Sequence, residues 1–192
     1  ADGRVHAVYR KHHLPNYAVF DEQRYFTPGD DAGPLFVVGG VPVGVSICED
    51  IWDPTGPAFR QAEAGAGLLV NINASPYYAG RLAEREAMLG ARAREPGVPI
   101  VYVNLVGGQD EVVFDGASFA VDAEGRIAMR APMFEEALSI VELAPDRGLR
   151  GEVVPVPEIE RQAWAALVTG VRDYIGKNGF PGAIIGLSGG ID

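Results

Sequence analysis

Gly40-Val-Pro-Val-Gly-Val-Ser-Ile-Cys48-Glu-Asp-Ile-Trp52 is the stretch that decides how this chain is read. Its apolar, β-branched run 41–47 has the composition of a buried strand. Cys48, the only cysteine in the sequence, stands at the end of that run, and Glu49 and Asp50 follow it directly. A strand fixes the aim of a side chain at its tip, and the following loop leaves it reachable, so a thiol there is placed for chemistry. The two acids oppose the thiolate, which therefore needs a cation from elsewhere in the chain. A lone cysteine is more often a small buried hydrophobe. What separates the two readings is whether a cation and a base converge on it.

Composition narrows the class. The 192 residues allow one large domain or two smaller ones, and 47% hydrophobic content is ample for a core. A formal charge of -10 argues against general binding to nucleic acid or to anionic membranes. A single cysteine excludes an internal disulfide and fits a reducing, cytoplasmic setting. No stretch approaches the roughly 20 apolar residues of a membrane span, and no signal peptide is visible. The sequence opens without methionine in what reads as a hairpin and stops at Asp192 inside a glycine loop. It reads as an internal fragment.

Working outward from 41–47, residues 35–38 and the pair Gly39-Gly40 predict a hairpin into that strand. Residues 54–66 predict a short helix, 68–72 a buried strand, 81–94 an alanine-rich helix with Leu82 and Leu89 on one face, and 99–105 another strand. That alternation is the α/β signature. A strand at 5–9 leads into the segment holding Lys11, and Pro15-Asn16 ends it. Residues 117–121 and 126–130 predict a second hairpin, and 137–143 a further strand. The stretch 144–157 holds three prolines and two glycines and reads as a linker. Beyond it, 158–177 predicts a helix and 182–187 a strand ending in Ser188-Gly-Gly-Ile-Asp192. The domain division is then 1–145, a linker at 146–157, and the start of a second domain at 158–192.

Lys11 is the candidate cation for Cys48, because an ammonium favours the thiolate and stabilises an oxyanion. His12 and His13 are the conventional partners of a nucleophilic cysteine, and spacing does not rank them against Lys11. At the other end of the chain, a glycine loop after an apolar strand lets backbone N–H groups close on a phosphate. A lone Ser-Gly-Gly is more often only a turn.

Lys11 with Leu14-Pro15, followed by Ser46-Ile-Cys48-Glu-Asp-Ile-Trp52, resembles the carbon–nitrogen hydrolase (nitrilase) superfamily and its Glu-Lys-Cys triad. More narrowly, Leu14-Pro-Asn-Tyr-Ala-Val-Phe-Asp-Glu-Gln-Arg-Tyr-Phe26, Asn73-Ala-Ser-Pro-Tyr77 and Asn104 look like the glutaminase domain of glutamine-dependent NAD synthetases. Gly186-Leu-Ser-Gly-Gly-Ile-Asp192 looks like the opening of an ATP-pyrophosphatase loop.

The resemblance implies an N-terminally truncated α-β-β-α sandwich, followed by the first helix and strand of a doubly wound nucleotide-binding domain. It implies Cys48 as nucleophile, Lys11 as stabiliser of the tetrahedral intermediate, Glu22 as an auxiliary acid, and a base glutamate upstream of the lysine that this sequence does not carry. Tyr17, Ser75 and Arg81 would contact glutamine, with Glu49 on its ammonium. Residues Gly186, Leu187, Ser188, Gly189, Gly190, Ile191 and Asp192 would contact ATP.

The implied reaction is ATP-dependent, magnesium-assisted amidation of nicotinate adenine dinucleotide with ammonia from glutamine. A homo-oligomer is expected, with no resident metal site and no ligand held by this chain alone. The alternatives are a hydrolase of a different amide and a catalytically incomplete chain that only binds or assembles.

Overall fold

Phe36–Val38 (β1) and Val41–Ile47 (β2) pair antiparallel as their composition predicts, with Val38 opposite Val41. Gly39 and Gly40, at φ +56° and +82°, make the two-residue turn between them, a left-handed pair that suits glycine. The computed structural model describes residues 3–144 and 148–190.

From β2 the chain alternates through α1 (Pro57–Glu63), β3 (Leu68–Asn73), α2 (Arg81–Arg94) and β4 (Ile100–Asn104). The pairs β2–β3 and β3–β4 are parallel, each closed by a helical crossover. A hairpin of β5 (Val106–Gln109) and β6 (Val112–Asp115) then stands apart as its own two-stranded sheet. The chain returns as β7 (Phe119–Val121), antiparallel to β4, and β8 (Ile127–Arg130), antiparallel to β7. The result is a mixed six-stranded sheet in the order β1-β2-β3-β4-β7-β8.

Strand alternation sorts the side chains. Leu69, Ile100, Tyr102, Phe119 and Val121 face the helices and form the main core with Ala58 of α1 and Leu82, Leu89 and Ala93 of α2. On the opposite face, Ala120, Met129 and Leu149 gather Leu68 and Val101 into a smaller cluster. Further along that face Ile72 and Val103 stay 45% and 44% exposed.

The remaining elements are β9 (Glu142–Leu143), β10 (Leu149–Arg150) and α3 (Ile159–Lys177). The stretch read as a linker lies along β8: Arg130 N donates to Glu152 O and Val154 N donates to Arg130 O, both at 3.0 Å. Helix α3 lies against the β5–β6 hairpin. Asp173 accepts from Gly108 N at 2.8 Å, and Lys177 Nζ donates to Gly108 O at 2.5 Å. The approach is close enough that a Cβ on Gly108 would sit 3.1 Å from Gly170 Cα.

Several expected elements differ. Residues 5–9 form no strand, so Lys11 does not end one. The strand expected at 137–143 shrinks to Glu142–Leu143. Residues 182–187 form no strand, and Ile184, Ile185 and Leu187 are exposed. In each case the apolar pattern is present, but no neighbouring strand among the described residues offers a ladder for its N–H and C=O groups. Conversely, the β5–β6 hairpin was not anticipated, because Gly107-Gly108 reads as poor strand sequence. No helix among the described residues is long and apolar enough to cross a membrane.

Candidate active site

Cys48 begins a tight turn, Cys48–Ile51, at the C-terminal end of β2. Its φ is +47°, a left-handed conformation costing about 1–2 kcal/mol for a residue with a Cβ. The turn lies at the end of the sheet where β3 and β4 finish alongside.

Asp50 explains how a distant segment reaches the thiol. It is fully buried, and its Oδ1 accepts from His12 N at 3.0 Å and His13 N at 2.8 Å. Its Oδ2 accepts from the Tyr9 hydroxyl at 2.6 Å. The carboxylate thus clamps residues 9–13 to the turn after β2, and Lys11 is carried in with them. The two histidines contribute backbone N–H groups to the clamp. His13 Nε2 pairs with Asp53 at 3.0 Å, and the His12 ring meets Asp31 O.

Lys11 is 12% exposed and donates to both Glu22 oxygens, at 2.7 and 2.6 Å. Burial pushes the Cys48 thiol pKa up, and the Lys11 ammonium is the largest influence pulling it down. Glu49 and Glu22 raise it, and the Ala74 backbone lowers it. Of the two acids after the cysteine, Asp50 is therefore occupied by the clamp and Glu49 faces the site.

Tyr17 donates to both oxygens of Glu49 at 3.1 and 3.0 Å, and burial followed by that hydrogen bond holds the phenol protonated. Arg81, at the start of α2, lies over the Trp52 ring at 4.5 Å and donates from Nη1 to the Tyr78 hydroxyl at 3.0 Å and to Glu84 at 3.1 Å. Its Nε is buried without a protein partner among the described residues. A cation with a free donor beside a tyrosine–carboxylate pair suits a ligand carrying both a carboxylate and an ammonium.

Ser75 is buried in the turn after β3, where its hydroxyl accepts from Arg85 Nε at 3.2 Å. Cys48, Lys11, Glu22, Tyr17, Glu49, Arg81 and Ser75 thus surround the C-terminal ends of β2 and β3.

The terminal loop is not part of this arrangement. Residues 186–190 are exposed, and a Cβ on Gly186 or Gly189 would meet nothing within 4 Å. Gly190 N donates to Ser188 Oγ at 3.3 Å. Ile191 and Asp192 lie outside the described residues. Among the described residues no group of three or more acidic, histidine or cysteine side chains is arranged to hold a metal ion.

Sequence reasoning missed Asp50 as a clamp, and Arg85 and Asp115 altogether. Arg85 had a readable signal: it falls on the same helical face as Leu82 and Leu89, where a charge demands a buried partner.

The chain is 47% identical, over its whole length, to the glutamine-dependent NAD(+) synthetase of Xanthomonas campestris, of which it covers 35%. It is 41% identical to that of Thermotoga maritima, covering 39% of it. Thus the chain spans little more than a third of the length of these curated relatives. Among solved structures, the glutamine-dependent NAD+ synthetase of Acinetobacter baumannii in complex with ADP superposes at a TM-score of 0.90. That match is 43% identical and covers 98% of this chain and 36% of the other. An amidase from Nesterenkonia sp. AN1, whose active-site cysteine carries the acetamide moiety of fluoroacetamide, is 27% identical over 65% of this chain and 45% of its own, at a TM-score of 0.57. The carbon-nitrogen hydrolase family profile matches residues 1–148, the part that carries the mixed sheet, the thiol and its lysine. With its nitrilase-like α/β fold, the chain belongs to the carbon–nitrogen hydrolase family.

Proposed function

We propose that this chain carries the thiol centre of a glutaminase that supplies ammonia to a ligase making NAD. The observation supporting this most directly is the clamp: Asp50 brings Lys11 to the thiol end of β2, beside the Tyr17–Glu49 pair and Arg81.

Cys48 Sγ attacks the glutamine carboxamide carbon, and the Lys11 ammonium stabilises the oxyanion that forms there. Collapse expels ammonia and leaves a thioester on Cys48, which water hydrolyses to glutamate. Arg81 takes the substrate carboxylate and Glu49 its ammonium, with Tyr17 and the Ser75 turn shaping the pocket.

The thiol proton goes to a carboxylate and then to the departing amine. Glu22 is poorly suited to that role, since both its oxygens accept from Lys11. We assign the base to the glutamate that the family resemblance places upstream of the lysine, with Glu22 holding Lys11. On this reading the 192-residue chain alone does not turn over glutamine.

In the longer protein the ammonia serves the ATP-dependent amidation of nicotinate adenine dinucleotide, with magnesium accompanying ATP. Residues Gly186 to Asp192 would belong to that second site.

The test uses Cys48→Ala in the full-length protein. Glutamine-dependent NAD formation should vanish and ammonia-dependent formation should persist, because the two reactions use different sites. Loss of both in a folded variant overturns the two-site scheme. Turnover of short amides in place of glutamine would favour a simple amidase.

A further inference from the structure

Tyr102 in β4 is a buried phenol without a partner. None of its surface is exposed, and no protein atom among the described residues, Ser75 Oγ included, meets its hydroxyl in hydrogen-bonding geometry. A buried hydroxyl left unmet is destabilising, and a phenylalanine would pack the same ring against Phe119 without that penalty. A buried polar group of this kind calls for a ligand or a water.

Register places the phenol beneath the thiol. Across the sheet Tyr102 stands level with Asn71 and Ser46, and Ser46 precedes Cys48 by two residues on the same strand face. Along β4, Tyr102 and Asn104 share the helix-facing side. Asn104 holds Ser75: its Oδ1 accepts from Ser75 N at 2.9 Å and its Nδ2 donates to Ser75 O at 3.3 Å. Ser75 Oγ in turn accepts from Arg85 Nε at 3.2 Å. Arg85 belongs to α2, whose Leu82 and Leu89 share a core cluster with Tyr102. Tyr102 and Ser75 therefore lie in one layer, between β4 and α2, and Arg81 opens that helix one turn before Arg85.

Three donors at this end of the layer are unspent. Burial pushes the Tyr102 phenol up to about 12 against the pull of Arg85, so the hydroxyl keeps its proton. Ser75 Oγ takes the Arg85 N–H, and a guanidinium has no acceptor to receive the serine proton in return. Arg81 Nε is buried and unmet. Asn71 Oδ1, on the strand beside Tyr102, is unmet as well and so does not take the phenol proton. What three converging donors fit is a group with several lone pairs and a negative charge, a carboxylate.

We propose that Tyr102 is a substrate-binding residue of the glutaminase site, its hydroxyl donating, beside the Ser75 hydroxyl and Arg81, to the α-carboxylate of glutamine. This rests on the reading of the thiol centre as a glutaminase. The contact selects by charge, since an amide without that carboxylate leaves the phenol as unmet as before.

The experiment measures glutamine hydrolysis by the full-length protein carrying Tyr102→Phe, with thermal melting alongside. KM for glutamine should rise about tenfold, as for one lost hydrogen bond to a charged group, while kcat stays within about twofold. L-Glutamate should protect Cys48 from iodoacetamide about tenfold less well in the variant. 4-Aminobutanoate, which lacks the α-carboxylate, should act alike on both proteins. The melting temperature should match or exceed that of the wild type, because an unmet hydroxyl has been removed. An unchanged KM overturns the proposal and leaves a bridging water as the partner of the phenol. A fall in kcat alone, a marked loss of thermal stability, or equal weakening with 4-aminobutanoate overturns it as well. A wild-type protein that does not hydrolyse glutamine, and whose Cys48 glutamate does not protect, overturns the glutaminase reading itself and the proposal with it.

Discussion

At the scale of the residue, the chemistry turns on which charges reach Cys48 and which are occupied elsewhere. Burial raises the thiol pKa and Lys11 opposes it, while Glu49 and Glu22 add to the rise. Signs for two substitutions follow. Lys11→Met removes the strongest charge favouring the thiolate, so the midpoint of iodoacetamide alkylation should move to higher pH, and reaction at neutral pH should slow about tenfold or more. Glu22→Gln removes a charge that disfavours the thiolate, so the midpoint should move to lower pH. A midpoint that is unchanged or lower in Lys11→Met would show that Lys11 does not act on the sulfur. Asp50 is the structural counterpart. Asp50→Ala strands the Tyr9 hydroxyl and the N–H groups of His12 and His13. A loss of about 3 kcal/mol is expected, because removing a buried hydrogen-bonded carboxylate leaves its donors unmet. Urea unfolding measures it, and a loss within a few tenths of a kcal/mol would refute the clamp.

At the scale of the element, two devices bring distant parts of the chain together. One is the parallel run β2-β3-β4, whose common end holds the thiol, the Ser75 turn and Asn104. The other is the β5–β6 hairpin. It receives α3 on one side, carries Asp115 to Arg85 on the other, and accepts from Tyr77 N through Val113 O at 2.7 Å. The glycines that hid this hairpin from a composition reading are what let α3 approach. Gly108→Leu places a branched side chain where Gly170 and Asp173 already lie. It should loosen α3 by about 1–3 kcal/mol, the usual effect of overpacking. Hydrogen exchange should then quicken across Ile159–Lys177 and remain unchanged in α2. Unchanged protection in α3 would mean that the contact does not hold the helix.

At the scale of the whole molecule, burial and charge pull in opposite directions. Ile72 and Val103 are nearly half exposed on the sheet face away from α1 and α2. Along α3, Trp164, Leu167, Val171 and Tyr174 are 70%, 67%, 60% and 58% exposed. Such faces favour association, while a formal charge of -10 resists it. The 192-residue chain should therefore self-associate, and more strongly as salt screens the charge. Light scattering on a sizing column reads this directly; a monomer at every ionic strength would contradict it.

By itself, the sequence determined the local and periodic features. The strand 41–47, the glycine turn before it, the helix–strand alternation to β4 and the thiol at a strand end all follow from composition and spacing within a dozen residues. Choosing Lys11 as the cation for Cys48 was possible only through family resemblance, since spacing left His12 and His13 equal to it. Tertiary structure decided the rest. Residues 5–9 and 182–187 carry strand patterns yet form none, because a strand exists only where another backbone meets its N–H and C=O groups. Asp50 read as a charge opposing the thiolate, and became a clamp because three donors from another segment reach it. Arg85 lies within the helix expected at 81–94, and nothing in its local sequence names its partners. Only the folded chain brings Asp115 and the Ser75 turn within hydrogen-bonding distance, and a buried charge acquires its role from the partners that surround it.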